Sequence, residues 1–215
     1  MQQSVDATPP GMFPRCMTPA TAPRRSNLWA LPNLLTYGRV AAVPLVVGFL
    51  LHPELHWMRW VSFWIFTAAG ISDFFDGYLA RIWEQQSSLG RMLDPIADKL
   101  LVAACLLVLA FIGAFGVWSI WAAIVILCRE LLVSGLREFL AELRVSVPVS
   151  WIAKWKTTAQ ILALGFLIVG PAGDGVLPPG WTMQIGLALL WVAALLTLYT
   201  GADYMLVGFK HVSED

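Results

Sequence analysis

The chain has 215 residues, of which 58% are hydrophobic and only 13% are Asp, Glu, Lys or Arg, and its formal net charge is zero. Soluble domains carry about 45–50% apolar and ~25% charged residues, so a soluble chain with this composition and a mean hydropathy of +0.70 could not cover its own surface. Soluble globular, disordered and collagen-like classes are excluded, an all-α polytopic membrane protein is left, and the absent net charge gives nucleic-acid binding no support.

In chain order, residues 1–26 come first, with Pro9, Pro10, Pro14, Pro19 and Pro23 among Ser, Thr and Gln. Such a segment cannot offset the ordering entropy of a packed core and is expected to be a flexible tail. No apolar run follows a basic start, so it does not read as a signal peptide. Arg15, Arg24 and Arg25 against a lone Asp6 would suit an organellar presequence, but five prolines oppose the amphipathic helix one needs.

Six apolar stretches follow, at 34–51, 57–80, 95–113, 117–140, 150–170 and 182–206. Each approaches the ~20 residues that cross about 30 Å of hydrocarbon. Helices are expected, because backbone groups in lipid must bond within the segment. The breaks are His52-Pro53-Glu54, the turn from Gly113 to Gly116, and the loop from Gly170 to Gly180 with four glycines and three prolines. Six spans put both termini on one side. Thirteen of the fourteen Lys and Arg residues fall at or near that side, and Arg59 falls on the other, which predicts cytoplasmic termini. Trp29, Trp57, Trp60, Trp118, Trp121, Trp151 and Trp181 cluster near span ends and read as interfacial anchors. Cys16, Cys105 and Cys128 have no metal spacing and read as small hydrophobes plus one tail thiol.

Charges inside apolar spans are costly, at about 2.5–3.5 kcal/mol or more each, so each needs a partner or a purpose. Four carboxylates fall within 26 residues: Asp73 and Asp76 near the end of the second span, Asp94 and Asp98 at the start of the third. Spacings of three and four place each pair on one helical face, and a connection of about a dozen residues returns both pairs to the same membrane surface. Pairing with Arg81, Arg91 and Lys99 alone would leave the shared face unexplained. Divalent cations would relieve the repulsion. Oxygen-only ligands favour Mg²⁺ or Mn²⁺ over zinc, and two ions would balance four acids in a clamp suited to phosphoryl transfer. Between the pairs, Gly77 and Ala80 would let a ligand approach the backbone, Arg81 offers a fork for phosphate, and Gly90 breaks the loop ahead of Asp94.

Written out, the segment is Asp73-x-x-Asp76-Gly77-x-x-Ala80-Arg81, eight residues, Gly90, three residues, Asp94, three residues, Asp98. It resembles without a gap the signature of the CDP-alcohol phosphotransferases, integral membrane enzymes of phospholipid synthesis. That resemblance implies six transmembrane helices around a polar cavity open to the cytoplasm, usually in a homodimer. It implies two divalent metals, one held by Asp73, Asp76 and Asp94 and the other by Asp73, Asp94 and Asp98, with Asp98 also the general base. Asp76, Gly77, Ala80, Arg81 and Gly90 would line the cytidine nucleotide site, and Asn33, Thr36 and Arg39 would face the cavity or the donor headgroup.

The acceptor is read from a second, basic set. Arg129, Arg137, Lys154 and Lys156 sit near cytoplasmic ends of the fourth and fifth spans, with Arg39 in the first. Several cations suit a phosphorylated acceptor, although positive-inside topology and anionic headgroups would account for them more blandly. Lys154 and Lys156 do not share a helical face, so one should point inward. Arg129-Glu130 and Arg137-Glu138 lie deep enough to need partners, and the two glutamates could serve. The stretches Cys128–Leu143, Val149–Gln160 and Pro32–Val40 resemble the branch of the family that uses glycerol 3-phosphate. Tyr37-Gly38 and Trp155 depart from it, and Gly38 could loosen the first helix. The implied reaction moves the phosphatidyl group of CDP-diacylglycerol to glycerol 3-phosphate and releases CMP, in the bacterial inner membrane. A cardiolipin synthase with phosphatidylglycerol as acceptor is the alternative within the family. A six-helix transporter is the alternative outside it, and would want acids at the midplane and an internal repeat. Asp203 is open between a buried partner and an interfacial group.

Overall fold

The computed structural model describes residues 31–83, 88–142 and 151–212. Among them are six α-helices: α1 (Leu31–Leu50), α2 (His56–Trp83), α3 (Ser88–Phe111), α4 (Val117–Glu142), α5 (Trp151–Val169) and α6 (Trp181–Val212), with a 3-10 helix at Gly170–Gly175 and no strand. The tail at 1–26, Trp29 and Arg144 lie outside the described residues, as do the side chains of Trp151 and Asp203.

Each helix overlaps one apolar stretch, but the ends move. Hydropathy marks only the segment that prefers lipid, whereas a helix continues wherever its backbone bonds remain favourable. α2 therefore runs on through the polar turn to Trp83, and α3 begins at Ser88, before Pro95. The connection between the acid pairs is thus 84–87 rather than about a dozen residues, and Gly90 belongs to the first turn of α3 rather than to a loop. The Gly170–Gly180 segment is likewise partly ordered, as a 3-10 turn. α1 is continuous through Gly38 and Pro44, so Gly38 does not break it.

Four windows are long and apolar enough to cross a membrane: Asn33–Leu50, Val117–Leu140, Lys154–Gly175 and Trp181–Ala202. α2 and α3, at 28 and 24 residues, have the length as well. Large apolar side chains face outward all round, among them Phe111 (79% exposed), Trp118 (80%), Leu131 and Leu195. In water so much exposed apolar area would drive association; in lipid it is the solvated face. The protein is an integral membrane protein.

The interior is built from helix stripes. Ala42, Val46 and Leu50 of α1 share one buried cluster with Phe66 and Ala69 of α2, Leu101, Cys105 and Leu109 of α3, Ile126 of α4, Leu164 and Leu167 of α5, and Leu190 and Ala193 of α6. α5 packs along α6, α1 along both α2 and α3, and α4 along α6. Gly186 permits α6 to approach α5 closely, since a Cβ there would lie 2.9 Å from Leu167 Cγ.

The two ends of the bundle differ. At one, buried Arg59 near the start of α2 donates through Nε to the carbonyl of Pro53 at 3.1 Å and through Nη1 to that of Ile168, near the end of α5, at 3.2 Å. The guanidinium reaches a carbonyl in the last turn of α5, where helix-end carbonyls need donors from outside the helix, and Gly170, at φ +47°, leaves it room. Exposed Trp57, Trp118 and Trp181, each at a helix start, belong to this end by the alternation of the helices. The other end holds the ion pairs that Arg129 and Lys156 make with Glu130.

Candidate active site

The backbone carries Asp73, Asp76, Gly77, Ala80 and Arg81 on the last third of α2, and Gly90, Asp94 and Asp98 on the first half of α3. Both acid spacings therefore fall within continuous helix, and each pair occupies one face of its helix at the level of the backbone. The side chains of residues 73–92 and of Asp94 lie outside the described set, so of the four acids only Asp98 has a described carboxylate.

Asp98 is exposed and lines a small cavity of about 80 Å³ where α3, α4 and α5 meet. Lys99, Glu130, Lys156, Thr157 and Gln160 line the same cavity. Lys156 is 6% exposed and donates to Glu130. Glu130 also receives Arg129 Nη1 at 3.4 Å. Arg129 Nη2 reaches across to the hydroxyl of Thr200 on α6 at 2.9 Å, and Lys99 donates to the hydroxyl of Ser134 on α4. Two cations sharing one carboxylate leave the cluster a net positive charge beside Asp98. In a low-dielectric wall such a group binds an anion strongly, because the ions have little water to lose.

The basic residues of the sequence reading thus divide. Lys156 faces inward and Lys154 is exposed, as residues two apart on a helix must diverge. Arg129 is enclosed by α6, but Arg137 and Glu138 are exposed and do not need the buried partners expected of them. Two further turns along α4 rotate position 137 by about 80° from position 129, away from the α4–α6 contact. Arg39 is 2% exposed and lines a separate cavity of about 320 Å³ between α1 and α2, with Gly38 and Ser72. Asn33 and Thr36 are buried on the same stripe of α1, the stripe packed toward the acid-bearing helices. A third cavity, of about 630 Å³, is almost wholly apolar and runs between α2 and α5 from Trp60 to Ile71, with Phe63, Phe66 and Phe166 on its walls.

Ser134, Gln160 and Thr200 did not stand out in the sequence. Gln160 had a signal, four residues after Lys156 and so on its face. Thr200 had none, since a threonine in an apolar helix usually bonds its own preceding turn.

The gapless acid pattern on adjoining helix ends, with Asp98 opening onto a cationic cavity, is the arrangement that calls for comparison with known proteins. A family model described as CDP-alcohol phosphatidyltransferase matches residues 29–199. The chain belongs to that family. A relative from Cereibacter sphaeroides is 36% identical over 218 residues, covering 87% of this chain and 99% of that protein. One from Rickettsia bellii is 45% identical over 175 residues, covering 81% and 92%, and one from Salmonella choleraesuis is 44% identical over 178 residues, again 81% and 92%. Each is named CDP-diacylglycerol–glycerol-3-phosphate 3-phosphatidyltransferase. Membership replaces the transporter reading: a CDP-alcohol phosphatidyltransferase transfers a group rather than moving an ion across the membrane.

Proposed function

We propose that the protein transfers the phosphatidyl group of CDP-diacylglycerol to glycerol 3-phosphate, giving phosphatidylglycerol phosphate and CMP. The observation that carries this choice of acceptor is the shared cavity: Asp98, the proposed base, opens onto the same space as Lys156 and its Glu130–Arg129 cluster. A neutral acceptor would gain nothing from that positive charge, while a phosphomonoester would. The names of the relatives point the same way.

The donor set is all oxygen: Asp73 and Asp76 lie within continuous α2, Asp94 and Asp98 within continuous α3, and Asp98 opens to a cavity, a set that suits hard divalent cations. Asp73, Asp76, Asp94 and Asp98 would hold two ions, Mg²⁺ or Mn²⁺, which when bound neutralise the diphosphate and the departing CMP. The chain's own groups do the rest. Lys156, with Arg129 behind it, holds the acceptor phosphate. Asp98 takes the proton of the acceptor hydroxyl as its oxygen bonds to the lipid-proximal phosphorus. The bond from that phosphorus to the bridging oxygen breaks, and the bridging oxygen leaves with CMP. Asn33, Thr36, Gly77, Ala80, Arg81 and Gly90 shape the donor headgroup site, Arg39 closes its α1 side, and the apolar α2–α5 cavity takes an acyl chain. The acid-bearing end and both termini face the cytoplasm of a bacterial inner membrane, and the working unit is a homodimer.

The test is an assay of purified protein with CDP-diacylglycerol against glycerol 3-phosphate, phosphatidylglycerol, inositol and serine in turn, read as CMP release. Release with glycerol 3-phosphate alone is expected. Release with phosphatidylglycerol instead would reassign the chain to cardiolipin synthesis.

A further inference from the structure

α6 carries none of the family's acidic pattern, yet Thr200 and Gly201, beyond its midpoint, reach the cationic cluster. Arg129 Nη2 donates to Thr200 Oγ1 at 2.9 Å, and Thr200, 1% exposed, can donate in turn to the carbonyl of Leu196 at 2.9 Å or of Thr197 at 3.2 Å. The next residue is Gly201, and it is the reason the arginine fits. A Cβ at Gly201 would lie 3.0 Å from Arg129 Cγ and 3.3 Å from its Nε, so the stem of Arg129 lies directly against the α6 backbone. The hydroxyl fixes the head of the arginine and the missing side chain admits its stem.

From Arg129 the contacts continue to the cavity. Arg129 Nη1 lies 3.4 Å from Glu130 Oε1, the same oxygen binds Lys156, and Lys156 lines the cavity beside Asp98. We infer that Thr200 and Gly201 are positioning residues for the acceptor. They hold Arg129 so that Glu130 is shared between two cations and Lys156 is presented to the acceptor's anionic group. The physical requirement is specific. A buried ammonium pulled toward its own carboxylate would close on it and become a neutral pair. A second cation drawing on that carboxylate leaves charge available for an incoming anion. Without the α6 cradle, Arg129 gains rotamer freedom, its claim on Glu130 weakens, and Lys156 pairs inward.

The inference deepens the proposed function and rests on an anionic acceptor. Its test uses full-length purified protein and compares Thr200→Val, which keeps the shape and removes the hydroxyl, with Thr200→Ser, which restores it, and Gly201→Ala, which crowds the arginine stem. The expected result for Thr200→Val is a KM for glycerol 3-phosphate raised about 5- to 30-fold, with the KM for CDP-diacylglycerol within twofold of wild type. Thr200→Ser should return the acceptor KM to within about threefold of wild type, and Gly201→Ala should behave like Thr200→Val. An unchanged acceptor KM in Thr200→Val overturns the inference. So does an equal rise in both KM values, which is what a merely structural threonine would give. The wild-type protein is first run against the acceptor panel and the variants are measured on whichever acceptor it uses. Wild-type turnover of a neutral acceptor therefore overturns the proposed function, while a flat KM in Thr200→Val with glycerol 3-phosphate overturns only the α6 cradle.

Discussion

Two lysines separated by a single residue make the sharpest comparison at the scale of the side chain. Lys156 is buried against Glu130 and lines the cavity with Asp98, while Lys154, about 200° away around α5, is exposed. Losing a charge-assisted bond to a phosphate costs about 1.5–3 kcal/mol, or roughly 10- to 100-fold in affinity. Lys156→Ala should therefore raise the KM for glycerol 3-phosphate by about that factor and Lys154→Ala by less than about threefold, in steady-state assays at saturating donor. Equal effects would remove Lys156 from the acceptor site. For Asp98→Asn, the loss of a general base predicts a fall in turnover of roughly 10²–10⁴-fold with the donor still bound, as measured by equilibrium binding of labelled CDP-diacylglycerol. Near-normal turnover would end the assignment of Asp98 as the base. The acids stand out in the sequence because a carboxylate in an apolar span is conspicuous. Arg137 misled because sequence depth is not burial: its position on α4 turns away from α6, and only the packing partner reveals that.

Between helices, the energetics lie in small-residue contacts that composition does not disclose. Gly186 and Gly48 look alike in sequence, but a Cβ at Gly186 would meet the side chain of Leu167 at 2.9 Å and its backbone nitrogen at 3.2 Å, while one at Gly48 meets nothing within 4 Å. Overpacking of this kind costs about 1–3 kcal/mol. Gly186→Ala should therefore lower the thermal midpoint in detergent, and Gly48→Ala should leave it unchanged or raise it. The same midpoint shift in both would mean that α5 and α6 do not pack as described. The order of the helices was readable from apolar length alone. Their ends were not, because the polar last turn of α2 and first two turns of α3 carry no hydropathy signal while still closing helical bonds. That difference matters for the site, since it puts Gly90 inside a helix and shortens the connection between the acid pairs to 84–87. The Arg129–Thr200 contact joins residues 71 apart and had no local signature at all.

Across the molecule, the described contacts of the basic side chains fall at two ends. Arg59 is held by carbonyls at the end where α2 starts and α5 finishes, and the Lys99–Ser134, Lys156–Glu130 and Arg129–Thr200 contacts gather at the other. Basic residues remain on the cytoplasmic side during insertion, so a reporter fused after Asp215 should register cytoplasm and one inserted at Ala114 or Val176 should register the opposite compartment. A reversed pattern would put the acids on the wrong face for a cytoplasmic nucleotide. Removal of divalent ions by a chelator should abolish turnover, and Mg²⁺ or Mn²⁺ should restore it, as followed by CMP release; activity that survives chelation would contradict the role given to the four acids. The most direct test follows both halves of the reaction at once. Purified protein is given CDP-diacylglycerol labelled at its lipid-proximal phosphorus together with carbon-labelled glycerol 3-phosphate. The account predicts that both labels enter one lipid product in equal amounts, with one CMP released for each. Phosphorus label leaving with the nucleotide, or CMP released while the glycerol label stays in the aqueous phase, would contradict it.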